Sequence, residues 1–298
     1  MKSFKLENTA DVGILMAALL LLGFAVSWPV LGLGEALRGF AVEAVVLGLA
    51  FYLARQYLPW EDAPRERIAD PRLELVLGAI GFAAFFIAWP LLLPVEDAEG
   101  LFANLMYASA ALLAFTAAAL LPFRYGPRSW GLRWPTGREL LVLAAVAAVG
   151  SALSFLFGRV LPPSEAAALV DPARPLMPGV VLWNFEQAIA QGSALDLGLV
   201  GVLLLSVIGQ ELFFRVYLQA RLAQYLPGRW ALFAQAALYF AGAFVPLYLL
   251  VGDLPAAFLL TQAAVLSNGV LAGYFWRKTG SLSLLVLLHL LAFVRWGL

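Results

Sequence analysis

Nine apolar runs divide the chain, and the short connections between them collect most of its charge. They cover approximately Val12 to Leu33, Ala36 to Leu58, Leu73 to Val95, Leu101 to Leu121, Leu140 to Leu161, Leu197 to Phe214, Trp230 to Val251, Leu254 to Trp276 and Leu282 to Leu298. Each is roughly 17 to 25 residues, long enough as a helix to cross about 30 Å of hydrocarbon. The pattern predicts an all-α polytopic membrane protein with about nine transmembrane helices, the last of them marginal in length. The basic opening Met1-Lys2-Ser3-Phe4-Lys5 precedes a long apolar run with no small-residue cleavage site at a suitable distance, so that run reads as a retained span.

Composition agrees with this class and narrows the chemistry. Hydrophobic residues make up 63% of 298 and charged residues 13%, about half the share usual for a soluble domain. The 19 basic and 19 acidic residues cancel, so no net field argues for nucleic acid as a partner. There is no cysteine and one histidine, which excludes disulfides and thiolate chemistry and leaves too few ligands for a catalytic zinc. No metal and no cofactor is expected.

Charge placement sets an orientation. With the N-terminus cytoplasmic, alternating connections give the cytoplasmic side fifteen of the nineteen basic residues, Arg215, Arg221, Arg277 and Lys278 among them. The other side keeps Arg38, Arg159, Arg174 and Arg295 with acidic connections such as Glu96-Asp97-Ala98-Glu99. All nine tryptophans fall at or near run ends, as interfacial anchors do. Pro59 to Arg72 reads as a cytoplasmic loop between helical hairpins. Pro162 to Asp196 is too polar to span and reads as an extracytoplasmic amphipathic segment lying on the surface or partly re-entering, with Ser164-Glu165 as a helix cap within it.

One stretch stands against the apolar background: Gly209-Gln210-Glu211-Leu212-Phe213-Phe214-Arg215. An uncompensated charge in such surroundings costs several kcal/mol, which makes these residues candidates for function. Glu211 and Arg215 stand at i and i+4 and can pair along one helix face, with Gln210 turned about 100° away onto the face of Phe214. On the eighth run Asn268, Gly269 and Gly273 form a stripe of small residues suited to close helix approach. Thr279-Gly280-Ser281-Leu282 then turns the chain into the last run, where His289 lies about two helical turns inside. A structural reading stands beside the functional one for each: an interhelical ion pair for Glu211 and Arg215, and a hydrogen-bonding group for His289.

In order and spacing, Q-E-x-x-x-R, an F-x-x-x-F span and a T-G-S-L turn leading to a histidine resemble the CPBP family of intramembrane proteases, the CAAX-prenyl-endopeptidase and bacteriocin-processing (Abi) group. Its members carry E-E-x-x-x-R, F-x-x-x-H and H-x-x-x-N on successive helices. The resemblance covers roughly Trp130 to Leu298, beginning with Gly131-Leu132-Arg133-Trp134-Pro135, and implies a CPBP-like five-helix membrane core over 140–298. A basic cytoplasmic loop, 123–139, and an N-terminal four-helix region, 1–122, precede that core.

The resemblance implies a site of Glu211, Arg215 and His289, in which Gln210, Phe244 and Phe293 replace the first glutamate, the middle histidine and the final asparagine. Glutamine is neutral and cannot take a proton from water, and loss of such a base typically costs about 10² to 10⁴ in rate. The first expectation is therefore a catalytically impaired homologue acting as a binding or scaffolding module. Its partners would be the lipid bilayer and a membrane protein or lipidated peptide, and family distribution implies a prokaryotic plasma (inner) membrane. Two alternatives remain: an active endopeptidase using Glu211 and His289, and an accessory subunit of a larger membrane complex.

Overall fold

The computed structural model describes residues 9–31, 33–58, 68, 70–92, 98–120, 123, 125, 130–160, 194–255, 257–258, 261 and 269–295. Among them stand nine helical rods and no strand. They are α1 (Thr9–Leu31), α2 (Leu33–Tyr57), α3 (Pro71–Phe82), α4 (Ala98–Leu120), α5 (Gly137–Val160), α6 (Ala194–Glu211), α7 (Gly228–Val251), α8 (Ala272–Thr279) and α9 (Leu282–Arg295). Two continue beyond these bounds: α3 passes through a π-helical stretch, Ala83–Ala88, into Trp89–Leu92, and α6 through another, Leu212–Gln219, into Ala220–Tyr225. Eight of the nine apolar runs coincide with one of these rods; of the eighth, Leu254 to Trp276, the last five residues fall in α8 and much of the remainder lies outside the described residues. Among the described residues, Asp11–Pro29, Phe40–Tyr57, Pro71–Ala88 and Arg229–Leu249 are long and apolar enough as helices to cross a membrane. The chain is an all-helical integral membrane protein. The surface segment expected over Pro162 to Asp196, with its Ser164-Glu165 cap, lies outside the described residues except for its last three, 194–196, which begin α6 instead; Asn268 and most of the Pro59 to Arg72 connection also lie outside them.

Local signals set the helix ends. Pro71 occupies the first turn of α3, where a missing N–H is harmless, and Asp70 Oδ1 accepts from Arg72 N at 3.2 Å and Leu73 N at 3.1 Å. Thr136 and Glu139 form a reciprocal capping pair at the start of α5, with Thr136 N donating to Glu139 Oε2 at 2.6 Å and Glu139 N to Thr136 Oγ1 at 3.4 Å. Gly280, left-handed at φ 59°, ends α8, and Ser281 Oγ accepts from Leu284 N at 3.2 Å to open α9. The Thr279-Gly280-Ser281-Leu282 turn is thus a C-cap followed directly by an N-cap. The segment before α5 docks on it: Leu282 N donates to Gly131 O at 3.0 Å and Arg133 Nη2 to Thr279 O at 2.9 Å.

The sixth rod departs from expectation. Instead of ending at Phe214 and releasing Arg215 and Arg221 into a cytoplasmic loop, the helix runs on to Tyr225. Arg215 is 0% exposed and Arg221 4%. All eight residues from Leu212 to Gln219 are buried, because this stretch lies between two apolar cores. Leu212 and Val216 join a core with α1, α2, α5, α7, α8 and α9, while Phe213, Phe214, Tyr217 and Leu218 join Phe86, Leu112, Leu120 and Tyr239 in the other. Trp276 also departs from its reading as an interfacial anchor, being 4% exposed and packed in the first core, whereas Trp28, Trp134 and Trp230 are exposed.

α2 and α8 are tied by a buried lysine. Lys278 Nζ donates to the carbonyls of Ala54 at 3.0 Å, Arg55 at 2.9 Å and Leu58 at 2.8 Å. Arg55 stands in the last turn of α2 and Leu58 just past its end, where helix carbonyls lack intrahelical donors, while Ala54 O is shared with Leu58 N at 3.2 Å; a cation there also complements the helix dipole. Lys278→Met keeps the stem and removes the donors; at about 1 to 3 kcal/mol for a lost charged hydrogen-bond set, it should lower the thermal unfolding midpoint in detergent by several degrees. An unchanged midpoint would mean that the cap contributes nothing.

Candidate functional site

The site begins with a close helix approach. α4 lies along α6, and at Gly209 a Cβ would collide with the Ser109 carbonyl oxygen, so only glycine permits this separation. The next residue, Gln210, thereby comes within reach of α4. Its Nε2 donates to Ser109 Oγ at 2.9 Å and meets Ser206 Oγ, one turn earlier on α6, at 3.5 Å. Its Oε1 accepts from the Tyr239 hydroxyl of α7 at 3.2 Å. Both ends of the amide are engaged.

Glu211 points elsewhere. Its Oε1 stands 2.8 Å from Nδ1 of His289 on α9, a contact between residues 78 apart in sequence. An ionised carboxylate can only accept, so wherever Glu211 carries its charge the proton of this contact sits on Nδ1. Oε2 stands 3.2 Å from Arg215 Nε, an i,i+4 ion pair with both side chains at 0% exposure. That contact is close in distance and poor in alignment, since neither atom completes a hydrogen bond. The guanidinium lies over the Tyr239 ring at 4.9 Å and near the Phe214 ring at 5.8 Å, so the ring quadrupoles compensate part of its charge.

Beyond Arg215 the polar row continues. Gln219, one turn on, donates from Nε2 to Gly273 O at 3.2 Å. Gln235, one turn before Tyr239 on α7, is 0% exposed. At Gly273 a Cβ would strike Leu232 of α7 and come 2.9 Å from Gln235 Oε1, so this glycine of the predicted small-residue stripe is where α8 meets α7. Three helices therefore bring Glu211, Arg215 and Gln219 opposite Gln235 and Tyr239, with His289 closing one end. Among the described residues no group of three or more histidine, aspartate and glutamate side chains stands together to hold a metal ion.

The structure brings Gln210, Glu211, Arg215 and His289 into one buried neighbourhood and sets Phe244 on another face of α7. Phe244 stacks with Phe240 at 5.1 Å and with Tyr248 at 5.9 Å, and Phe240 meets Phe258 at 5.8 Å. The side chain of Phe293 is outside the described residues. The α7 residues that do reach the site are Gln235 and Tyr239, together with Ser109 of α4 and Ser206, one turn before Gln210 on α6. The only sequence signal for Tyr239 was its place one residue before Phe240.

A second buried arginine on the same rod gives a comparison. Arg221 Nε donates to Glu74 Oε2 at 2.6 Å, and Nη2 also pairs with that oxygen. Nη1 donates to Val216 O at 2.9 Å and Tyr217 O at 3.3 Å. Glu74 Oε1 accepts from the Tyr125 hydroxyl at 2.7 Å, and the guanidinium lies 4.5 Å from the Tyr217 ring and 5.2 Å from that of Tyr125. Arg221 is a fully partnered structural group, whereas Nη1 and Nη2 of Arg215 have no hydrogen-bond partner among the described residues.

A helical membrane protein with a buried glutamate, arginine and histidine beside a clamped glutamine is the class these features define. Residues 193–293 match the family model Type II CAAX prenyl endopeptidase Rce1-like, so this part of the chain is an Rce1-like domain. The match spans α6 to α9 and leaves out the 130–160 region that the motif resemblance had included. No curated protein and no solved structure matches the chain.

The two arginines should respond differently to loss of charge. Arg221→Met strands Glu74 in a buried setting and should cost about 3 to 5 kcal/mol, abolishing a folded species at moderate temperature. Arg215→Met leaves Glu211 hydrogen-bonded to His289 and should cost less than half as much. Thermal unfolding of both variants in one detergent checks the order, and equal losses would contradict it.

Proposed function

We propose that the chain is a homologue of the CAAX-type membrane endopeptidases that binds a lipidated or membrane-embedded peptide without hydrolysing it, in a prokaryotic plasma membrane with its N-terminus cytoplasmic. The observation that carries this reading is Gln210. At the position where the family places a water-activating glutamate stands a neutral amide with its Nε2 on Ser109 and its Oε1 under the Tyr239 hydroxyl. It can neither accept a proton nor turn toward a substrate without breaking both bonds. Glu211 is a poor replacement, since one oxygen is on His289 and the other beside Arg215.

A second reading, an active endopeptidase, draws on the 2.8 Å contact of Glu211 with His289, a carboxylate and an imidazole in reach of one another. In that case Glu211 would give up Arg215 to take a proton from water while His289 polarises the scissile carbonyl.

A peptide ending in a farnesylated cysteine and three further residues, offered to the full chain in lipid nanodiscs, separates the two. Saturable binding with no cleavage product by mass spectrometry is expected. Gln210→Glu, which installs a base, should raise hydrolysis at least about tenfold above the wild-type background. Wild-type turnover that Glu211→Ala abolishes would overturn the binding reading in favour of the second.

A further inference from the structure

Arg215 is fully buried, and its two terminal nitrogens, Nη1 and Nη2, have no hydrogen-bond partner among the described residues. Glu211 occupies the Nε side of the guanidinium, so the terminal edge, whose parallel N–H groups match a carboxylate bidentately, is the edge left over. Incomplete compensation is not a general habit of this protein. Arg221, six residues along the same rod and nearly as buried, has its Nε, Nη1 and Nη2 all on oxygen acceptors.

The unused capacity is concentrated here. Among the described residues Gln235 finds no partner for its Nε2 or its Oε1 and Gln219 none for its Oε1, both residues being buried. Gln219 lies one turn from Arg215 on α6 and Gln235 one turn from the Tyr239 ring that covers it, and both converge on Gly273. A guanidinium edge beside primary amides offering donors and acceptors is the complement of a carboxylate followed by peptide groups. A fatty acid would supply the carboxylate and nothing for the amides.

We propose that Arg215, with Gln219 and Gln235 beside it, recognises the free carboxyl terminus of a peptide, which makes Arg215 a specificity-determining residue of the site. This rests on the reading of the chain as a peptide-binding homologue. Nη1 and Nη2 donate to the two carboxylate oxygens, and the amide of Gln235 pairs with the preceding peptide group. Arg215 is closed to water in this structure, so occupation opens the packing that Tyr239 makes over it.

The test compares two farnesylated peptides of one sequence, one ending in a free carboxylate and one in a carboxamide, titrated onto the full chain in nanodiscs. The free acid should bind at least about tenfold more tightly to the wild type. Arg215→Gln should bring the two within about twofold, and Arg215→Lys should restore only part of the preference because it lacks the planar fork. The wild-type comparison needs no variant and stands even if both substitutions fail to fold. Equal binding of acid and amide overturns the carboxylate assignment while leaving the peptide-binding reading intact. Binding of neither peptide overturns both. A preference that survives Arg215→Gln removes Arg215 from the role, and displacement of a bound probe by oleate with no effect of the peptide acid assigns the carboxylate to a lipid instead.

Discussion

The pairing of Glu211 with Arg215 at 0% exposure is the constraint on which the neighbouring structure depends. Two charges taken from water into an apolar interior are repaid by their mutual attraction only when the remaining lone pairs and protons also find partners. Glu211 obtains one from His289, which ties α6 to α9. Arg215 obtains the faces of Tyr239 and Phe214, which tie it to α7. The sum is incomplete among the described residues, where Nη1, Nη2 and Oε2 lack hydrogen bonds, whereas the Arg221 and Glu74 pair on the same rod is saturated. One pair reads as a joint between helices and the other as a joint with spare capacity.

The π-helical geometry of Leu212–Gln219 belongs to the same problem. A π turn closes with i→i+5 hydrogen bonds, so successive side chains are spread differently around the axis than on an α-helix, and such stretches recur at functional sites. Here the spread lets one rod serve two cores at once, with Leu212 and Val216 on one side and Phe213, Phe214 and Tyr217 on the other. Phe86, in the other π-helical stretch, meets Phe213 at 6.2 Å and Phe214 at 5.2 Å, so the two irregular segments pack on each other. A helix walled by apolar residues on both sides leaves its polar row facing only α7, α8 and α9, which is where the site forms.

The positions of the rods were readable because a bilayer-length apolar run must satisfy its backbone internally, and a helix is how one chain segment does so. The turn at Gly280 was readable for its left-handed glycine and capping serine. The continuation of α6 was not, because Arg215, Gln219 and Arg221 resemble loop residues until their partners are known. Those partners, Glu74 and Tyr125 for Arg221 and His289 for Glu211, come from other parts of the chain. The face of α7 was equally hidden. That helix is apolar nearly all round, so no stripe distinguishes inside from outside, and a motif anchored on Phe240 pointed to Phe244 where the packing brings in Tyr239.

Retention of Glu211, Arg215 and His289 is for the same reason a weak guide to chemistry. Removing either member of a buried pair takes away part of what compensates the other, so such a pair has a structural reason to persist whether or not the site turns over substrate. Gln210 is under no such constraint. Its partners Ser109 and Tyr239 are neutral hydroxyl groups that would accommodate a carboxylate as readily, by donating to it. Under the proposed reading the amide at that position is therefore the feature that bears on activity, and the charged residues around it bear on architecture and recognition. Under the proposed reading, a membrane site that keeps its guanidinium and amides but lacks a base still has what is needed to hold a peptide end, since holding requires donors and acceptors while hydrolysis requires a group that can exchange a proton with water.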